Sequence, residues 1–224
     1  FYSLMIIDEF QNYLGEQIQI LKSCLNQQTQ SVVYVGDMAQ QVKLGTIRQW
    51  QEINETISED RNIKLKKVYR NTKNILAFIQ SLGYDVELPD GLKEGPAVVE
   101  QITKDTTEEI DYIKKLAEKY KEGSIGILAR DGLYLEDFKK AFASNKNIHV
   151  LTMLESQGVE FDLVCLVGIR KELFDVNKYI DTSSEHAQER KRMQRDLFYV
   201  ALTRAINELH ILGSDKLSSL NLKI

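Results

Sequence analysis

Two adjacent carboxylates, Asp8 and Glu9, follow directly on the short apolar run from Ser3 to Ile7. Such a run is typical of a strand that is buried on both faces. Carboxylates at the carboxyl end of a buried strand lie at the edge where open α/β sheets bind ligands. One of them can hold Mg²⁺ through its water shell, and the next can orient or deprotonate an attacking water. Asp8 can also cap the helix predicted after it, so the pair alone leaves both interpretations open.

A second apolar run, from Ser31 to Val35, also ends in polar residues. Gly36 lets the backbone turn sharply, and Asp37 and Gln40 follow it. If the two runs form neighbouring strands, these side chains lie beside the first acidic pair. The order of strand, acidic end, helix, strand and acidic end is typical of a parallel α/β sheet.

Two arginines could bind an anion. Arg204 lies near the end of a helix predicted over residues 195–205, among small and apolar neighbours. An arginine in that setting is either paired or directed at an anionic group, and we interpret the group as a nucleotide phosphate. Arg70 follows a strand-like run over residues 64–68 and is a second candidate phosphate ligand. A surface ion pair is an equally good interpretation of Arg70 on its own.

The rest of the chain predicts the elements that position these residues. Apolar spacing predicts helices over residues 73–82, from about 110 to 120 and around 135–142. Strands are predicted over residues 97–102, 124–128, 148–152, 163–167 and 209–212. Gly158 lies in the polar crossing between two of these strands, which indicates a close approach of the backbone to a ligand.

Composition limits the function classes. The 224 residues carry 29 Lys and Arg against 33 Asp and Glu, a net charge of −4. Nucleic-acid binding would therefore have to come from a local surface. The apolar runs are too short for a membrane span and no secretory signal opens the chain. Cys24 and Cys165 lie in apolar contexts, as expected of reduced core residues in a cytoplasmic protein. Because the chain begins with Phe1, we expect a fragment of something longer.

Five separate stretches, each at a predicted strand or helix end, together resemble the superfamily 1 helicases of the UvrD/Rep type. In chain order they are similar to the second to sixth motifs of that family: 7–11 (IDEFQ), 35–40 (VGDMAQ), 68–71 (VYRN), 152–162 (TMLESQGVEFD) and 198–205 (FYVALTRA). The set covers nearly the whole chain, and the order of the motifs is that of the family.

The resemblance implies an α/β fold of RecA-like parallel sheets flanked by helices, the P-loop NTPase fold. Residues 1–62 would be the C-terminal half of a first RecA-like domain, and residues 63–224 the second RecA-like domain. ATP would bind between these domains, and its hydrolysis would move single-stranded DNA in the 3′→5′ direction. The implied cofactors are ATP and Mg²⁺, and the implied partners are single-stranded and duplex DNA, with no membrane.

The resemblance also implies a role for each site residue. The catalytic residues would be Asp8, Glu9, Gln40, Arg70 and Arg204. Among them, Asp8 would hold Mg²⁺ through water, Glu9 would activate the attacking water and Gln40 would sense the γ-phosphate. The nucleotide-binding residues would be Gln11, Asp37, Gly158 and Glu160.

Several departures from the family pattern favour alternatives. No glycine is followed by lysine, so the Walker A phosphate loop is missing and this piece should not hydrolyse ATP alone. Leu154 and Gln157 replace the usual histidine and lysine of the fifth motif, and residues 42–45 (VKLG) replace an aromatic segment that follows the third motif. The large 2B insertion between the fourth and fifth motifs is also missing. This compactness and the sequence of residues 36–40 (GDMAQ) are similar to the helicase IV/HelD branch, some members of which act on RNA polymerase. An inactive RecA-like interaction module is a third alternative.

Overall fold

The computed structural model describes residues 1–26, 28, 31–37, 46–47, 49–63, 70–173 and 185–220, and for residues 185–191 only the backbone. The chain divides into two compact units, Phe1–Leu65 and Lys66–Ile224, which we describe separately. Gln40 and the strand predicted over residues 64–68 lie outside the described ranges.

The first unit contains two parallel strands, β1 (Leu4–Ile7) and β2 (Ser31–Tyr34), and one α-helix, α1 (Gly15–Ser23). Short 3₁₀ turns over Phe10–Asn12, Trp50–Ile53 and Glu59–Arg61 connect or follow them. One face of the strands packs on a small apolar core built from Ile7, Phe10, Ile18, Ile47 and Ile53.

The prediction that β1 and β2 are buried on both faces is wrong. Leu4 and Ile6 of β1 and Val33 of β2 are exposed on the face opposite the core. Side chains alternate between the two faces of a strand, and within the described part of this unit the core cluster covers one face. Cys24, predicted in the core, is also exposed and follows the last residue of α1.

The second unit is a five-stranded parallel sheet in the spatial order β3-β7-β6-β4-β5. Its strands are β3 (Val99–Ile102), β4 (Ile125–Ala129), β5 (Ile148–Thr152), β6 (Phe161–Ile169) and β7 (Ala205–Gly213). Its helices are α2 (Lys73–Ser81), α3 (Thr106–Lys119), α4 (Glu136–Ala141) and α5 (Glu185–Leu202). This parallel sheet flanked by helices confirms the predicted α/β class.

Alternation along the central strands explains why helices cover both faces of the sheet. On β6, Val164 and Leu166 pack into a core with α2 and α5, whereas Leu163, Cys165 and Val167 pack into a core with α3 and α4. A strand that is apolar at every position has no face for water, so both faces must be covered by helices. The prediction that Cys165 is a core residue is confirmed.

The helix predicted over residues 195–205 differs from α5 at both ends. The observed helix α5 begins ten residues earlier than predicted, at Glu185, and ends at Leu202. Arg204 therefore lies in the turn that leads into β7. Arg204 therefore lies at the amino end of a central strand and beyond the end of the helix. Among the helices of the described ranges, none combines the length and the apolar character that a membrane crossing needs.

Candidate functional site

Arg70 and Glu160 form an ion pair in the second unit. Arg70 lies just before α2, and Glu160 immediately precedes β6. The Arg70 side chain is 68% exposed and that of Glu160 is 28% exposed. Both interpretations of Arg70 therefore persist: the structure contains the ion pair, and most of the Arg70 side chain still faces solvent, where an anion can approach it.

Asn71 connects the segment of Arg70 to the segment of Arg204. Its side-chain amide donates one hydrogen bond to the carbonyl oxygen of Thr203 (3.0 Å) and one to that of Ala205 (2.6 Å). Asn71 is buried, so these carbonyl oxygens take the place of water around the amide. The residue that follows Arg70 is thus bonded to both neighbours of Arg204.

Arg204 itself is buried and is held by its own surroundings. Its Nε donates to the carbonyl oxygen of Val200 (2.9 Å), one turn earlier on α5. One terminal nitrogen lies 3.4 Å from the carbonyl oxygen of Val159, the residue before Glu160. The backbone carbonyl of Arg204 accepts from the N–H of Phe161 (2.9 Å), which joins the first residue of β6 to the residue before β7. These contacts fix the direction of the guanidinium.

The turn between β5 and β6 contains Gly158 and Glu160, on either side of the Val159 carbonyl that Arg204 contacts. The Glu155 carboxylate accepts hydrogen bonds from the backbone N–H and the hydroxyl of Thr152, both at 2.8 Å. These two bonds, the backbone one first, lower the pKa of Glu155. Gly158 has a φ of +77°, a conformation that disfavours a side chain, and the space beside its Cα is open. Backbone geometry therefore accounts for this glycine, and the approach of a ligand remains a prediction.

Asp162, the second residue of β6, anchors the same turn from the other side. Its carboxylate accepts from the N–H and hydroxyl of Ser124 (2.9 and 3.1 Å) and from the Asn207 amide (3.1 Å). Asn207 lies on β7, and Ser124 immediately precedes β4. One carboxylate thus ties the beginnings of three neighbouring strands together and fixes the point at which the chain enters the sheet after Glu160.

In the first unit, Asp8 and Glu9 follow β1 as predicted. Glu9 adopts a left-handed backbone conformation with a φ of +51°, which is uncommon for a residue with a side chain. Its backbone N–H donates to the Asp8 carboxylate (2.9 Å), and its own carboxylate accepts from the amide of Gln11 (2.6 Å). Strain of this kind is concentrated at functional sites.

Gln11 joins the acidic residues of the two strands. It is fully buried, and its side-chain oxygen accepts from the backbone N–H of Asp37 at 3.2 Å. Gly36 packs so closely against Gln11 and Phe10 that a Cβ would lie 2.8 Å from the Phe10 ring. The ring of Phe10 in turn stacks on Trp50, with centroids 4.9 Å apart. The predicted proximity of the two acidic strand ends is therefore found in this unit.

The two groups of residues suit different chemistry. Paired arginines bind phosphate oxygens and stabilise charge that develops on a transferring phosphoryl group. Mg²⁺ commonly binds through one or two carboxylates and several waters, and the exposed Asp8 carboxylate fits that role. Within the described ranges, no cluster of three or more His, Cys, Asp or Glu side chains could hold a metal ion unaided.

Sequence reasoning missed Asn71 and Asp162 as members of the site. Asn71 precedes a helix, where a short polar side chain ordinarily indicates a cap, yet the N-cap of α2 is Thr72. The bonds of Asn71 span 132 and 134 positions, so no local pattern reveals them. Asp162 occupies the last position of the stretch similar to the fifth motif, which was the one available signal.

The comparisons with known proteins identify the family. A profile of the UvrD-like helicase C-terminal domain matches residues 6–216. The solved C-terminal domain of a possible DNA helicase from Lactobacillus plantarum WCFS1 is 17% identical, with 68% of this chain and 93% of that chain covered and a TM-score of 0.48. A search of curated proteins gives no match. Because the profile spans most of the sequence, the chain belongs to the UvrD-like helicase C-terminal domain family.

Proposed function

We propose that this chain is the C-terminal motor portion of an ATP-dependent DNA helicase or translocase that moves 3′→5′ along single-stranded DNA. ATP hydrolysis would drive the movement. The proposal rests on one group of contacts in the second unit. Arg70 pairs with Glu160, and Asn71 bonds to both neighbours of Arg204, whose guanidinium contacts the residue before Glu160. Family membership supports the nucleic-acid partner in general.

The two arginines would stabilise the phosphates of ATP. Arg70 is exposed and can exchange its partner Glu160 for a phosphate oxygen, since both are anionic acceptors. Arg204 is buried, so its charge acts in a medium where electrostatic interactions are stronger than in water. Charge that builds on the transferred phosphoryl group would then be stabilised by groups that are already in place. Gly158 and Glu160 would contact the nucleoside.

The acidic residues of the first unit would serve the metal and the water. Asp8 would hold Mg²⁺ through its water shell, and the ion would neutralise charge on the phosphates. Glu9 would orient or deprotonate the attacking water, and the hydrogen bond from Gln11 would fix the direction of its carboxylate. Asp37 would complete the nucleotide-binding set, and Gln40 would sense the γ-phosphate and couple it to DNA.

The test uses the protein that carries this chain together with a phosphate-binding loop. ATP hydrolysis is measured with and without single-stranded DNA, and strand separation is measured on duplexes with a 3′ or a 5′ single-stranded tail. We expect DNA to stimulate hydrolysis and the 3′-tailed duplex to be opened preferentially. Hydrolysis that ignores DNA, or preferential opening of the 5′-tailed duplex, would refute the corresponding part of the proposal.

A second candidate is a remodelling factor of the HelD type that binds RNA polymerase and uses ATP as a switch. What favours it is the compactness of the second unit: α2, β3, α3, β4, α4 and β5 with their connections account for residues 73–152. Recovery of RNA polymerase with the tagged protein, without any strand separation, would select this candidate. Robust strand separation and no bound polymerase would exclude it.

A further inference from the structure

Asn71 occupies a position that neither the sequence patterns nor the family match assigns to a function. An amide NH₂ group has two donor hydrogens, and both donors of Asn71 are used. Their acceptors are the carbonyl oxygens of Thr203 and Ala205, the residues on either side of Arg204. A single side chain thus reaches both flanks of Arg204.

The two hydrogen bonds fix the backbone at the point where α5 changes into β7. Thr203 and Arg204 form a turn, and Ala205 is the first strand residue, paired in register with Phe161. Without the amide, the buried carbonyl oxygen of Ala205 and the partly buried one of Thr203 would lose this donor, which is costly. The turn would then relax toward other donors, and the guanidinium of Arg204 would move with its backbone.

We propose that Asn71 is a positioning residue that holds Arg204 in the direction required to bind a triphosphate. Because Asn71 directly follows Arg70, the same clamp fixes the spacing of the two arginines, which otherwise come from segments more than 130 positions apart. The ligand class is a linear triphosphate group, bound through its oxygens by two guanidinium groups. This inference rests on the proposed function, since it assumes that the arginine pair receives phosphate.

The chemistry of the clamp limits what can replace it. Aspartate has the shape of asparagine but no donor, so its carboxylate would face two carbonyl oxygens and repel them. Serine keeps a single donor on a shorter side chain. Asn74 is a matched control on the first turn of α2: its amide also donates to a backbone carbonyl, that of Gly95, at 2.8 Å. Gly95 lies outside the turn of residues 203–205, so Asn74→Ala removes an amide bond of the same kind at a different place.

The experiment compares the 224-residue chain with its Asn71→Ala, Asn71→Asp, Asn71→Ser and Asn74→Ala variants. Inorganic tripolyphosphate is titrated while the side-chain Nε–H signals of arginine are followed by NMR, and the hydrogen exchange of the Arg204 Nε–H is measured without ligand. We expect Asn71→Ala and Asn71→Asp to weaken tripolyphosphate binding about tenfold. This factor corresponds to the loss of one hydrogen bond between the Arg204 guanidinium and a phosphate oxygen. Exchange at Arg204 should accelerate in parallel. Asn71→Ser should be intermediate, and it carries the test if the other variants do not fold.

The outcomes separate the clamp from the proposed function. Asn74→Ala should lower the melting temperature without changing tripolyphosphate binding or hydrogen exchange at Arg204. If Asn71 contributed to stability alone, Asn71→Ala would behave in the same way as Asn74→Ala. Folded Asn71 variants that bind within about twofold of the parent, with unchanged exchange, would overturn the clamp. If the parent chain does not bind tripolyphosphate while exchange at Arg204 still accelerates, the proposed function fails at this site and the positional role of Asn71 stands.

Discussion

Arg70 and Glu160 meet in a direct ion pair across 90 positions of sequence. The pair joins the segment before α2 to the residue that precedes β6. Both side chains belong to stretches that resemble helicase motifs, and the resemblance implies that each contacts a different part of a nucleotide. In the chain alone, the Glu160 carboxylate is paired with the Arg70 guanidinium, which a phosphate would have to contact. A phosphate must therefore compete with Glu160 for Arg70.

This competition predicts that Glu160→Gln strengthens the binding of tripolyphosphate to the chain. The amide keeps the shape of the side chain and removes the competing charge, so Arg70 becomes available. Because the pair is largely exposed, the gain should be modest, about two- to fivefold. Titration calorimetry of the variant measures it.

The matched control for Glu160→Gln is Glu94→Gln. Glu94 forms an exposed ion pair with Lys73 at 3.3 Å, and its removal should leave the affinity unchanged. Tripolyphosphate contains no ribose, so a contact between Glu160 and the nucleoside cannot mask the effect. Weaker binding after Glu160→Gln would contradict the competition.

A second prediction concerns the packing that positions Gln11 in the first unit. Gly36→Ala places a methyl group against Gln11 and the Phe10 ring, so Gln11 must move and its bonds to Glu9 and Asp37 must lengthen or break. We expect the free energy of unfolding to fall by about 1–3 kcal/mol. If the protein that carries this chain hydrolyses ATP as proposed, its kcat should fall as well, because Glu9 would lose the group that orients it.

Gly132→Ala is the control for this change. Gly132 has a φ of −63°, and a Cβ there would lie at an ordinary 3.6 Å from Thr152. We expect its stability to remain or to rise slightly, because alanine restricts the unfolded chain. Chemical denaturation of both variants makes the comparison, and equal stabilities would refute the close packing at Gly36.

A third prediction follows from Glu109, a buried carboxyl group at the beginning of α3. Burial raises the pKa of Glu109, against the opposing effect of hydrogen bonds from the Gly168 N–H (3.1 Å) and the hydroxyls of Tyr134 (3.0 Å) and Thr103 (3.2 Å). The folded state therefore binds the proton more tightly than the unfolded state. The contribution of Glu109 to stability is fully present at low pH and declines as pH rises from the ordinary glutamate pKa, about 4.3, through the raised pKa.

Glu109→Gln removes this titration. Denaturation of parent and variant over a series of pH values should show a difference in stability that shifts in favour of the variant as pH rises through that window. The neutral amide can still accept a hydrogen bond in the same place, so the variant is expected to fold. A stability difference that stays constant with pH would show that Glu109 titrates alike in both states.

The sequence was sufficient to predict the architecture of the second unit, and the reason is local. Its central strands, such as β4 and β6, are apolar at nearly every position, which requires covering helices on both faces. The same signal failed for β1 and β2: a short apolar run shows that a strand forms, but not that both of its faces are covered. Burial on the second face depends on what packs there, which a local pattern does not contain.

The candidate site likewise contains residues that the sequence predicts and residues that only the fold reveals. Arg70, Arg204 and Glu160 carry charges at strand or helix ends, and such residues are visible in a sequence. Asn71 and Asp162 act through hydrogen bonds to partners far along the chain, and only the folded arrangement shows them. The pairing of Arg70 with Glu160 is equally non-local, so the sequence left the choice between phosphate ligand and ion pair open.

Single-turnover ATP hydrolysis by the protein that carries this chain tests the proposed role of Arg204, which is to stabilise the charge on the transferred phosphoryl group. The variants are Arg204→Ala, Arg204→Lys, which keeps the charge but not the planar fork, and Arg195→Ala as control. Arg195 lies on α5, which ends before Arg204, and its guanidinium donates to the carbonyl oxygen of Gly83 (2.5 Å). We expect both Arg204 variants to lose about 100-fold or more in the hydrolysis rate at saturating ATP, in addition to weaker ATP binding, and Arg195→Ala to stay within about twofold. A folded Arg204→Ala protein that hydrolyses ATP at the parent rate would show that Arg204 does not stabilise that charge.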